Sequence, residues 1–276
     1  MEKENFSKFG RSGCSFYLDN SNIILKKESS DPTYNERLYS QYVKQCEFKS
    51  NNGFYTPQPF DFDKSKELYA FDMEYIHGKT FETFCINSTA SDIRTFSKNL
   101  NSLISDNLKN SILTEIDFNK LKVKLQILYK VLDPTSRPYI DYLLNNKLTK
   151  LPIGKNHGDL TMSNIIFADK YYLIDFLDNP YESPLNDLVK VKQDTEHGFY
   201  LSLLGKYSTK VKICLNYLDN ELNNKFPDII HTKEFIWLSI FNLLRVLPYM
   251  KDQQEKNTII QNLKKYERYI TGSGEI

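Results

Sequence analysis

The chain has 276 residues, 36 basic and 35 acidic side chains, and a net charge of +1. That length can build one large domain or two lobes with a sizeable core, and the balanced charge excludes broad electrostatic binding to nucleic acid or to an acidic membrane. Four cysteines, at 14, 46, 85 and 214, form no C-x-x-C pair, so neither a zinc site nor a redox motif is expected.

In chain order, SFYLD and NIILKK read as two short strands around the polar turn Asn20-Ser21-Asn22, preceded by FGRSGCS with Gly10 and Gly13. A helix is predicted over 33–48, with Pro32 near its start. FYTPQPFDFD interrupts with two prolines, and ELYAFDMEYIHGKTF has strand character up to Gly78. The pattern then turns helical. Ser91 is the expected N-cap of a helix whose Ile93, Phe96, Leu100, Leu103, Ile104 and Leu108 make one apolar stripe. Leu121, Leu125, Leu128 and Leu132 make another, stopped by Pro134. Residues 153–176 return to strand and loop, and further helices are predicted over 185–197, 209–223, 232–249 and 254–270.

FIWLSIFNLLRVLPYM is apolar but short and carries Asn242 and Arg245, so it reads as a buried helix and not a membrane span. MEKENFSKFG lacks the apolar core of a secretion signal, and a reduced, cytoplasmic protein is the expectation. Strands first and helices afterwards indicate an α+β fold. The predicted division is a strand-rich unit over 1–77 with one helix and a mostly helical unit over 78–276.

The segment NHGDLTMSNIIFADKYYLIDF, 156–176, concentrates polar groups around two apolar runs. Pairing Phe167 with Tyr172 in a hairpin sets Asn164 opposite Asp175, with Cβ atoms about 4.5–5.5 Å apart. An amide oxygen and a carboxylate at that separation can share one hard cation such as Mg²⁺. Asp159, on the entering loop, is placed to accept a proton from an incoming hydroxyl. Phosphoryl transfer needs this combination of charge neutralisation and an oriented nucleophile. Asp and Asn are also common turn residues. The joint pattern H-x-D-x-x-x-x-N, followed eleven residues later by the aspartate of I-D-F, favours chemistry over a chance cluster of turns.

HGDLTMSNI together with LIDF resembles the catalytic segments of the aminoglycoside phosphotransferase/choline kinase family, small-molecule kinases with a protein-kinase-like fold. Gly158 stands where protein kinases have arginine, and Leu177 where their D-F-G glycine falls; both favour the small-molecule branch. The resemblance implies two lobes, a small antiparallel β N-lobe with one helix and a larger, mostly helical C-lobe. It implies Asp159 as base, Asn164 and Asp175 as Mg²⁺ ligands, and a structural His157 bracing the loop. It also implies that Gly10 and Gly13 cover the nucleotide phosphates, that NIILKKE carries a phosphate-binding lysine, and that the helix over 33–48 supplies its glutamate partner. With Lys26 toward the cleft, Ile23 and Leu25 enter the lobe core, so alternation favours Lys26 while Lys27 stays a candidate. Glu47 is placed ahead of Glu36 as the partner. FDMEYIHGKTF resembles the segment joining the lobes, where backbone groups of Glu74, Tyr75 and Ile76 would meet the nucleotide base. Asp187 either braces the catalytic loop or favours a helix N-terminus.

The implied activity is transfer of the γ-phosphate of ATP, with GTP undistinguished from it, to a hydroxyl of a sugar, an amino alcohol or an aminoglycoside-like acceptor. A protein kinase is disfavoured because no segment resembles A-P-E. A pseudokinase or binding module would keep the fold, but the intact Asp159, Asn164 and Asp175 speak against it. A polycationic acceptor needs acidic surroundings, and Asp219, Glu221, Asp228 and Glu234 form no evident cluster. The sequence does not set the oligomeric state.

Overall fold

The computed structural model describes residues 13–19, 21, 23–250 and 253–271. Strand β1 (Cys14–Leu18) turns back into β2 (Ile24–Ser29). The turn is closed by Asp19, whose carboxylate accepts the amides of Ile23 at 2.9 Å and Ile24 at 2.8 Å. A single 3₁₀ turn capped by Asp31 leads into helix α1 (Asn35–Glu47). After β3 (Phe54–Tyr55), strands β4 (Pro59–Asp63) and β5 (Ala70–Glu74) complete an antiparallel sheet of order β1-β2-β5-β4. Leu38, Gln41 and Gln45 share one stripe of α1 and are buried. Leu38 packs with Phe71 and Met73 in a small core between helix and sheet.

Past residues 75–80 come α2 (Phe81–Asn87), α3 (Ala90–Lys109), β6 (Ile112–Glu115), α4 (Asn119–Val131), α5 (Arg137–Asn145) and β7 (Lys150–Ile153). Then follow β8 (Ile165–Phe167), β9 (Tyr171–Leu173), α6 (Pro184–Thr195), α7 (Phe199–Leu204), α8 (Thr209–Lys225), α9 (Lys233–Val246), α10 (Gln253–Lys264) and α11 (Glu267–Ile270). The α+β expectation holds, with a small antiparallel sheet before a helical remainder. Three short helices, α2, α5 and α7, and the β6–β7 pair were not legible as elements. The helices have only two or three turns, and β6 finds its partner across two intervening helices. The N-cap of α3 is Thr89 and not Ser91. Thr89 accepts the Asp92 amide while Asp92 accepts the Thr89 amide, so the capping box outcompetes the serine two residues on.

One large core spans the helical part. Its pivot toward the hairpin is Phe96 of α3, whose ring lies 5.1 Å from both Phe167 and Tyr171, 6.1 Å from Phe81 and 6.2 Å from Phe54. Phe54 is there because β3 runs parallel to β9 in a three-stranded sheet of order β3-β9-β8. The chain before the linker thus packs under the hairpin that carries Asn164 and Asp175. Among the described residues no helix is long and apolar enough to cross a membrane.

Phe96 is fully buried, so Phe96→Ala is expected to cost about 3–5 kcal/mol through lost burial and a residual cavity. A urea unfolding curve would read this as a lowered midpoint; an unchanged midpoint would mean the aromatic cluster does not anchor the hairpin.

Candidate active site

The loop 157–164 is held from beneath by one face of α6. Asp187, Lys190 and Asp194 recur at i, i+3 and i+7, so all three point the same way. The two oxygens of Asp187 accept the amides of His157 and Gly158, each at 2.8 Å. Asp194 accepts the Met162 amide at 2.6 Å. Burial pushes each of these two acids up to about 7, against the pull of the amides they accept. Between them, Lys190 lies 3.0 Å from Asp159 Oδ1. The other Asp159 oxygen accepts from Asn164 Nδ2 at 3.1 Å, and the same nitrogen donates to the Asp159 carbonyl at 2.8 Å. Burial raises the Asp159 carboxyl, but Lys190, with Arg245 behind it, outweighs that and holds the acid below its usual range. Asp159 is therefore an ionised carboxylate with both oxygens oriented.

His157 lies inside the scaffold. Its Nε2 bonds the Ile174 carbonyl at 2.8 Å, which makes it the donor, so Nδ1 accepts the Asp159 amide at 3.2 Å. The ring packs against Phe176 at a tilt of 35°, with centroids 4.4 Å apart. Burial lowers its pKa to about 4, so it is neutral. Gly158 adopts φ +88°, and a Cβ there would come within 2.0 Å of the Leu177 carbonyl oxygen. An arginine in that position would not fit this backbone.

The hairpin register differs from the predicted one by one residue. Phe167 pairs with Tyr171, Ile166 with Tyr172 and Ile165 with Leu173. Asn164 thus meets Ile174, whose amide bonds the Asn164 carbonyl at 3.0 Å, and Asp175 is one step beyond. The loop at Ala168–Lys170 closes with a bond from the Ala168 amide to the Lys170 carbonyl, which sets the tighter pairing. Asp175 has φ +58°, a left-handed conformation that aspartate tolerates better than most residues. This turn carries its side chain away from the hairpin to the first sheet.

There it meets Lys27. Lys27 Nζ lies 2.5 Å from Asp175 Oδ1 and 2.8 Å from Gln41 Oε1, and the side chain is 2% exposed. Burial opposes its charge, but Asp175 outweighs burial and keeps the ammonium firmly protonated. The alternation that favoured Lys26 is corrected here. The face of this sheet that carries the core is also the face that meets Asp175, so Lys27 follows Leu25 inward, opposite Phe16 and Phe71. Lys26 pairs with Tyr17 and Asp72 on the other face, where Ile24 is exposed. The predicted glutamate partner is corrected too. Glu36 and Glu47 are exposed, out of phase with the buried stripe of α1, and Gln41 takes the place beside the lysine. One turn on, Lys44 reaches Asn156 Oδ1 at 2.9 Å, the Leu177 carbonyl at 2.8 Å and Glu182 at 2.5 Å.

Gly10 lies outside the described residues. Gly13 packs against Tyr34, 2.8 Å from where a Cβ would stand, and its carbonyl accepts the Ser30 amide. At the linker the Glu74 amide bonds Gln58 and the Tyr75 amide bonds Ile23, while the Ile76 amide has no partner among the described residues. Lys190, Asp194, Gln41 and Lys44 went unnoticed in the sequence. The i, i+3, i+7 spacing of Lys190 and Asp194 with Asp187 was the signal that could have revealed the first two.

No protein-family model matches the chain, and no curated protein matches it. Solved structures do. A ternary complex of a thermostable aminoglycoside phosphotransferase APH(4)-Ia mutant with ADP and hygromycin B is 10% identical, with a TM-score of 0.60, covering 97% of this chain and 93% of that one. The gentamicin–APH(2")-IIa complex is 18% identical, with a TM-score of 0.52 and coverages of 91% and 89%. The GDP and kanamycin complex of APH(2")-IIia is 14% identical, with a TM-score of 0.54 and coverages of 94% and 91%. The chain therefore has the two-lobed, protein-kinase-like fold of the aminoglycoside phosphotransferases over almost its whole length.

Two outcomes follow from this geometry. Asp187→Asn turns an amide nitrogen toward a backbone N–H and is expected to destabilise the protein by about 1–3 kcal/mol, measured by denaturant unfolding. His157 binds no proton in the folded state until about pH 4, whereas in the unfolded chain it protonates near its ordinary 6.5. Its contribution to stability is full above pH 6.5 and lost as pH falls toward 4. The raised Asp187 and Asp194 act in the opposite sense, so the measurement is a difference: His157→Gln should show a smaller acid loss than the parent between pH 6.5 and 4.

Proposed function

We propose that this protein is a small-molecule kinase that transfers the γ-phosphate of a purine nucleoside triphosphate to an acceptor hydroxyl. The observation that carries the reading is a pair of contacts beside one loop, Lys27 on Asp175 and Asn164 on Asp159, with both carboxylates acting on His157, in a fold shared with proteins solved with ADP, GDP and aminoglycosides. In this reading Lys27 binds nucleotide phosphate oxygens, and Gln41 with Asp175 keeps its ammonium aimed before nucleotide enters. The unpartnered Ile76 amide supplies a donor to the nucleotide base.

The residues present fit Mg²⁺. Asn164 directs its amide nitrogen to Asp159, so its oxygen is the ligating atom, and Asp175 adds a carboxylate; both are hard oxygen donors. When bound, the ion would neutralise charge on the transferring phosphates. Asp159 accepts a hydrogen bond from the acceptor hydroxyl and takes its proton as the new P–O bond forms. Its depressed pKa suits this task, because a loose transition state needs the hydroxyl oriented early and deprotonated late. Lys190 and Asn164 hold the carboxylate in one orientation while this happens.

Asp159→Asn keeps the shape of the site and removes the proton acceptor. It should lower kcat by about 10²–10⁴ with little change in nucleotide KM, read as acceptor-dependent nucleotide consumption over a panel of sugars, sugar derivatives and amino alcohols. Lys27→Gln should instead raise nucleotide KM. If no acceptor in the panel supports nucleotide consumption, the cleft is a binding module and the kinase reading fails; if turnover is present and Asp159→Asn leaves it unchanged, Asp159 is not the proton acceptor.

A further inference from the structure

Cations from α6 and α9 act on Asp159. Lys190 touches the carboxylate itself. Arg245, in the last turn of α9, donates to Asn179 Oδ1 at 3.4 Å, and Asn179 donates to the Gly158 carbonyl at 2.9 Å. The guanidinium is thus two hydrogen bonds from the residue that precedes Asp159. From a third element, α4, Lys124 comes close enough to Arg245 and Arg37 to be repelled by both. Lys120, one turn earlier, lies 5.7 Å over the Tyr181 ring, whose hydroxyl donates to the Asp117 carbonyl. The lysine-bearing face of α4 therefore lies along the segment running on from Asp175.

Asp159 itself supplies opposing charge to Arg245, and the other acids on these elements are committed to partners of their own. Asp187 and Asp194 hold loop amides, and Glu182 is held by Lys44 at 2.5 Å. Asp178 offsets part of the charge on Lys124. Among the described residues, no ion pair includes Arg245 or Lys124. Burial, the largest influence on both, works against their charge. Unpaired, partly desolvated cations are costly unless a ligand supplies the counter-charge. A polycation placed here would meet like charge from α4, α6 and α9 together.

Resting on the kinase reading, we infer that the acceptor is a hydroxylated small molecule bearing an anionic group, a carboxylate or a phosphate, and not a polycation such as an aminoglycoside. The hydroxyl lies against Asp159, and the anion faces Arg245 and Lys124. These cations come from helical elements, whereas the nucleotide lysine comes from the sheet, so acceptor and nucleotide recognition are separable.

The test uses the full chain with nucleotide and Mg²⁺ and four probes: a neutral hexose, a hexuronate, a hexose monophosphate and kanamycin. Each is measured for phosphoryl transfer and, by calorimetry, for binding. At least one anionic probe should exceed the neutral hexose and kanamycin by about tenfold or more in kcat/KM or in affinity. The hexuronate and monophosphate arms tell which anion is recognised. Lys124→Gln and Arg245→Gln, each checked for an unchanged melting temperature, should remove most of that advantage while nucleotide KM moves by less than about twofold. If Arg245→Gln melts lower, Lys124→Gln alone decides. The inference is overturned if the hexose or kanamycin matches both anionic probes, if neither anionic probe binds, or if the variants weaken nucleotide and anion equally. The kinase reading fails separately, if nucleotide is neither bound nor hydrolysed in a manner sensitive to Asp175→Asn; the binding ranks still report the charge preference in that case.

Discussion

A buried helix face that holds a loop by its backbone is the constraint on which the site depends. Asp187 and Asp194, two turns apart on α6, accept three amides from the loop 157–164, and Lys190 between them grips Asp159. Burying carboxylates is costly, and the cost appears as acids pushed up to about 7. It is offset because each acid satisfies amides that would otherwise be orphaned in the interior. The loop cannot shift without breaking those bonds. Asp159 is therefore presented in one orientation by a helix and not by a mobile segment, which is the preorganisation that the proposed proton transfer requires.

The second constraint joins the two parts of the molecule. Lys27 comes from β2, Gln41 from α1 and Asp175 from the end of the hairpin, and the three meet through one buried ammonium. Lys44 repeats the connection a turn further along α1, reaching groups on both sides of the loop 157–164. An ion pair this buried contributes little net stability once desolvation is counted. Its role is better described as alignment: it fixes where the sheet stands over the hairpin, and removing one partner leaves a charge stranded. The same charge logic extends outward: among the described residues neither Arg245 nor Lys124 is in an ion pair, and Asp159 and Asp178 offset part of their charge.

Much of this was legible in one sequence because the signals are local. The apolar stripe of α3, the strands around Lys26 and Lys27, and the spacing of His157, Asp159, Asn164 and Asp175 each follow from periodicity or chemistry within a few residues. The order of strands and helices was enough for an α+β architecture. Tertiary structure decided what periodicity leaves open. It chose Lys27 over Lys26, because only the assembled structure reveals that the core and Asp175 lie on one face of the sheet. It set Gln41, not Glu36 or Glu47, beside that lysine, because the phase of α1 is fixed by the packing of Leu38 on Phe71 and Met73. It moved the hairpin register by one and turned Asp175 through a left-handed conformation, which no alternation rule anticipates. It also brought α6 and α9 to Asp159, with Lys124 of α4 near enough to Arg245 to feel its charge. Charges far apart in sequence acquire a shared field only when the chain has folded.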